Sequence, residues 1–137
     1  MNRFVLLTML LHATLFADAK AIYDKHCASC HQLFVEPDLL LSNFMEHNNT
    51  LLKLKAPSVN QLRFRLKQMI GDPKGDAEFH RMEVTSFIQE YVMTPNRENS
   101  VCLPQVMQHF KTMESLEGKI SEEDLAEVSE WIYEEEE

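Results

Sequence analysis

Cys27-Ala28-Ser29-Cys30-His31 is the stretch on which the reading of this 137-residue chain turns. Cysteines at i and i+3 lie on one side of a helical turn, and a histidine follows the second. Two thiols so spaced can reach the two vinyl groups along one haem edge. The histidine then lies under the iron and supplies the proximal ligand, which is the signature of c-type haem attachment. Its other ring nitrogen needs an acceptor that fixes tautomer and orientation.

Two other chemistries use paired cysteines. A thioredoxin-like redox pair wants a βαβ setting, and no alternating strand pattern appears in this chain. A zinc site wants a second ligand pair at finger-like spacing, which Cys102 and the scattered histidines do not supply. Three cysteines is also an odd number, so a structural disulfide framework is not expected.

Outward from the motif the pattern is helical. Residues 19–31 form a first helix with Ile22 and Tyr23 facing a core. Leu39 to Leu41 with Phe44 and Met45 indicate a short helix, and Ala56-Pro57 marks a boundary. Leu62, Leu66, Met69 and Ile70 share one face of a helix over 58–70, stopped by Gly71-Asp72-Pro73. Val84, Phe87, Ile88 and Tyr91 repeat that spacing over 76–93, closed by Pro95. A short helix follows Pro104. Ser121 with Asp124 resembles a capping box for a last helix, whose apolar stripe is Leu125, Val128, Trp131 and Ile132. Glu122, Glu123 and Asp124 put negative charge at its positive end. The expected fold class is all-α.

Met1-Asn2-Arg3 and the apolar run from Phe4 to Phe16 read as a secretory signal peptide over 1–19, cleaved near Ala19, ahead of one domain over 20–137. The apolar run is short for a bilayer span. Covalent haem attachment belongs outside the cytoplasm, so the leader and the motif agree, and a periplasmic location is expected. Cleavage removes one basic and one acidic side chain, leaving the formal net charge at −9. That charge repels nucleic acid and attracts a protein with a basic docking patch. Membrane association is expected only through partners, and the chain is expected to be a monomer. Cys102 reads as a small buried hydrophobe beside Val101 and Leu103, with a free thiol for pairing between chains as the other reading.

The sixth iron position has several candidates. Met69 and Met82 fit core filler at helical spacing. Met113 lies outside any regular apolar stripe and precedes a loop with Gly118, while Met107 and Met93 remain alternatives. His109 and His80 are the histidine rivals, and His26 and His47 read as surface residues. Arg63, Arg65 and Lys67 are candidates to neutralise haem propionates.

Two segments resemble the class I monohaem cytochromes c. The first is Ala21-Ile22-Tyr23-Asp24-Lys25-His26 running into the motif. The second is Met113-Glu114-Ser115-Leu116-Glu117-Gly118-Lys119-Ile120-Ser121, followed by a helix carrying Trp131. The resemblance implies a cytochrome c-like helical fold around one covalent haem c, with its iron held by His31 and Met113. It implies that the Pro57 carbonyl accepts the hydrogen bond of His31, although Pro57 comes 26 residues after it. Residues 60–110 exceed what a minimal member needs, which points to an enlarged variant. The implied function is single-electron transfer between redox partners, with no catalysis of its own. The alternatives are a haem subunit of a larger oxidoreductase and a haem-based sensor with a labile distal ligand.

Overall fold

The computed structural model describes residues 18–134. The expected leader falls almost wholly on residues 1–17, outside them, as do the last three glutamates. The described part is helical, with no strand among the described residues. Residues 18–26 form α1. Then follow α2 (Pro37–Met45), α3 (Val59–Met69), α4 (Ala77–Met93), a 3-10 turn (Arg97–Asn99), α5 (Pro104–Met107) and α6 (Glu122–Glu134).

The starts have local causes. Pro37 opens α2, where a missing amide costs nothing. Asp76 caps α4 by accepting from the Phe79 amide at 2.9 Å. Ser121 caps α6 by accepting from the Asp124 amide at 3.1 Å. The positive φ of Gly71 (+63°) supports the sharp exit after α3.

Three apolar clusters hold the helices together. Ile22 and Tyr23 of α1 pack on Leu125, Val128 and Trp131 of α6, with Val59 of α3 beside them. The Tyr23 and Trp131 rings lie 5.2 Å apart. Leu40 and Phe44 of α2 meet Val35, Leu54, Val106 and Phe110. Leu66 of α3 meets Val84 and Ile88 of α4 and Val101.

The helix expected over 19–31 ends at residue 26. The Tyr23 carbonyl accepts from the amides of both Cys27 and Ala28, and the second bond, from i to i−5, widens the ladder and ends the helix. The amides of Cys30 and His31 then both bond to Cys27 O. Met69 and Met82, expected as core filler, are more than half exposed. Leu66 and Val84 fill that core instead, leaving the two methionines on the outer faces of α3 and α4.

Residues 46–54 are pinned by asparagines. Asn43, fully buried, accepts from the Leu52 amide and donates to Asn49, both at 2.9 Å. Asn49 in turn accepts from the Leu54 amide at 3.0 Å and donates to its carbonyl at 2.9 Å. Asn48 and Asn49 adopt positive φ, which asparagine tolerates better than most residues.

A candidate haem-binding cavity

The turn after α1 places Cys27 partly buried and Cys30 exposed. Burial pushes the Cys27 thiol up to about 11, with the neighbouring Cys30 adding to the rise. A thiol held so firmly protonated is a poor nucleophile of the thioredoxin kind, which needs a lowered value.

His31 follows directly. Its Nδ1–H donates to the Pro57 carbonyl at 2.7 Å. A carbonyl only accepts, so this bond sets the tautomer and leaves the Nε2 lone pair available. Desolvation holds the imidazole pKa below its usual value, against the opposing pull of the Pro57 hydrogen bond. The neutral ring is the form that ligates a metal.

Backbone pairing explains how Pro57 reaches a residue 26 positions away. The Val59 amide bonds to Gln32 O at 2.8 Å, and the Asn60 amide to Leu33 O at 3.1 Å. The Asn60 side chain grips Val35, donating to its carbonyl at 2.8 Å and accepting from its amide at 3.2 Å. The Tyr23 hydroxyl donates to the His31 carbonyl. Residues 31–35 are thus clamped alongside 57–60, and α2 with its asparagine-pinned loop forms an excursion between them.

Beside this clamp lies a cavity of about 450 Å³. Cys27, Cys30, His31, Pro57 and Met113 all line it. Its walls are largely apolar, including Leu66, Phe87, Ile88, Val101, Phe110 and Leu116. The volume lies within the ~300–1,000 Å³ typical of small-molecule and cofactor sites. Imidazole and thioether donors facing one apolar cavity, with two thiols on its lining, suit a haem.

Of the other distal candidates, Met107 also lines the cavity, whereas Met93, His80 and His109 do not. His80 is buried, with Nε2 at 3.1 Å from Ile70 O and Nδ1 at 3.3 Å from the Tyr133 hydroxyl. His109 stacks on Phe44. His26, expected at the surface, is partly buried and lines the cavity, while His47 is exposed.

Arg63, Arg65 and Lys67 do not line the cavity. Arg63 Nε donates to Ile132 O at 2.6 Å, Arg65 Nε to Val101 O at 2.9 Å, and Lys67 Nζ sits 4.4 Å over the Tyr133 ring. They tie α3 to its neighbours. The lysines lining the cavity are Lys55, Lys111 and Lys119. Sequence reasoning missed them, although Lys55 and Lys111 each lie two residues from a singled-out position, Pro57 and Met113. Cys102 is buried as expected and also lines the cavity.

The Cytochrome c family model matches residues 16–134 of the chain. An uncharacterized protein of Aquifex aeolicus (strain VF5) is 29% identical over 113 residues, covering 82% of this chain and 69% of that relative. No solved structure matches the chain.

Proposed function

The chain belongs to the cytochrome c family, and from that premise we propose that it is an exported single-electron carrier whose haem is held by Cys27, Cys30, His31 and Met113. Membership brings a covalently bound haem c with its iron, and with it haem-based electron transfer. The observation that carries the residue assignment is the shared cavity, lined by both motif cysteines, His31 and Met113.

Bound haem supplies an iron that takes up and releases one electron. The protein's part is orientation and exclusion. Pro57 O holds the His31 ring with Nε2 available for the metal. The two cysteines anchor the haem edge, with Cys30 at the surface where a partner can approach. A soft thioether from Met113 favours ferrous iron and raises the reduction potential. With His31 and Met113 both holding the iron, dioxygen and peroxide would find no open site, so the reading is a carrier and not a catalyst. The leader over 1–19 supports a periplasmic location, and the net charge of −9 supports docking to a partner with a basic patch.

A second reading, a haem subunit of a larger oxidoreductase, draws support from exposed apolar side chains between the motif and Pro57. Leu41 and Met45 on α2, with Leu51 beyond it, are each more than half exposed. Stable co-purification with a partner favours the subunit; a lone monomer favours the carrier.

The optical spectrum of the ferric holoprotein tests the ligand assignment. A weak far-red band reports methionine on iron, and Met113→Ala is expected to abolish it. Survival of that band in the variant would overturn Met113 as the ligand.

A further inference from the structure

Met113 sits in a stretch with little support of its own. Between residues 111 and 114 no amide donates a backbone hydrogen bond among the described residues. The stretch is instead held at its two ends, and both holds reach back to the end of α4 and the turn after it. Behind Met113, the Ser115 hydroxyl donates to Met93 O at 2.5 Å, and the Leu116 amide bonds to Val92 O at 2.9 Å. Ahead of it, one guanidinium spans two carbonyls: Arg97 Nη2 donates to Met107 O at 2.8 Å and Nη1 to Phe110 O. Arg97 is itself fixed in a 3-10 turn, which Asn96 caps by accepting from the Glu98 amide at 3.0 Å.

We propose that Arg97 is a positioning residue for the distal ligand: by bridging Met107 O and Phe110 O it fixes the start of the loop that presents Met113, and so holds the thioether at the cavity. The proposal rests on Met113 being that ligand. The fork geometry matters. The planar guanidinium presents two N–H groups at a fixed separation, whereas a lysine ammonium is a point donor on a flexible stem. Met107 also lines the cavity and carries one of the two carbonyls, so the same bridge fixes the turn that bears the competing thioether.

The test is a competition at the iron of the ferric holoprotein, with imidazole as the probe ligand. Imidazole binds only where the methionine has left, so its apparent affinity is its intrinsic affinity scaled by the open fraction. Arg97→Ala is expected to tighten imidazole binding roughly tenfold, and Arg97→Lys by a smaller factor. Met113→Ala sets the ceiling, and adding Arg97→Ala to it is expected to change nothing further. A residue that only stabilised the fold would lower the unfolding midpoint without that pattern. Imidazole affinity within twofold of wild type in both Arg97 variants would overturn the proposal. So would equal tightening by Arg97→Ala in the Met113→Ala background. The underlying reading fails separately: Met113→Ala would then bind imidazole no more tightly than wild type and keep its far-red band.

Discussion

Replacing Asn60 by alanine removes both hydrogen bonds that its side chain makes to the Val35 backbone, at 2.8 and 3.2 Å. Val35 is 6% exposed, so its amide and carbonyl lose partners where water has poor access. A buried backbone group left unpaired costs roughly 1–3 kcal/mol. Asn60 is itself only partly buried, which allows some rescue by water on one side. The two groups together then give about 2–4 kcal/mol. For a domain of this size that is roughly 8–20 °C in Tm. Guanidinium unfolding of the holoprotein, followed by far-UV circular dichroism, reads the loss directly. Asn60→Asp separates the two bonds, because its carboxylate still accepts from the Val35 amide but faces the Val35 carbonyl with no donor. It is expected to be destabilised as well. An Asn60→Ala variant within about 1 kcal/mol of wild type would refute the clamp, since it would mean that neither backbone group depends on this side chain.

The same assay ranks the contacts under the motif. Tyr23→Phe keeps the ring against Trp131 and loses only the hydroxyl bond to His31 O, for about 1 kcal/mol, whereas Trp131→Ala opens the core for about 3–5 kcal/mol; the reverse ranking would show the hydroxyl to be the stronger support. Cys102 is expected to be the free thiol of the holoprotein. Burial raises its pKa, so at pH 8 even less of it is thiolate than in the unfolded chain; a disulfide reagent should react with it slowly in the native state and readily in denaturant, and fast native reaction would contradict its placement.

Charge acts on this molecule at two ranges. The chain as a whole is strongly acidic, at −9, and at low ionic strength that field extends farthest into solvent. Around the cavity the balance reverses. Lys55, Lys111 and Lys119 line it together with Glu114, which pairs with Lys119 at 3.6 Å. Lys55 and Lys111 are left as two local positive charges, matching in number the two carboxylates a haem carries. Neutralised in that way, they would add little to the far field. The lysines on the cavity lining, Lys55 and Lys111 among them, thus stand beside the site residues Pro57 and Met113. The arginines of α3 spend their donors on backbone carbonyls at helix junctions.

What could be read from the sequence was what lies within one or two helical turns. The motif is legible because its chemistry is set by i, i+3 and i+4 spacing, and the amphipathic stripes of α3, α4 and α6 are legible for the same reason. The end of the first helix slipped, because the doubled bonds to Tyr23 O and Cys27 O turn the chain without a proline or glycine to announce it, and Met69, on the α3 stripe by spacing, lies more than half exposed. The site beyond the motif was legible only in part. Pro57 and Met113 came from likeness to a family, whereas their approach to His31 and the cavity depends on bonds between distant segments. Asn60 to Val35, Arg97 to Met107 and Phe110, and Ser115 to Met93 span 25, 10 to 13 and 22 residues. In the sequence each is an ordinary polar residue on a helix or loop. Such a residue becomes informative only once a carbonyl of another segment stands in front of it. A long gap such as the one between His31 and Pro57 therefore says little against their pairing: the clamp at 31–35 and 57–60 fixes the geometry, and the excursion between them can lengthen at small cost in loop entropy.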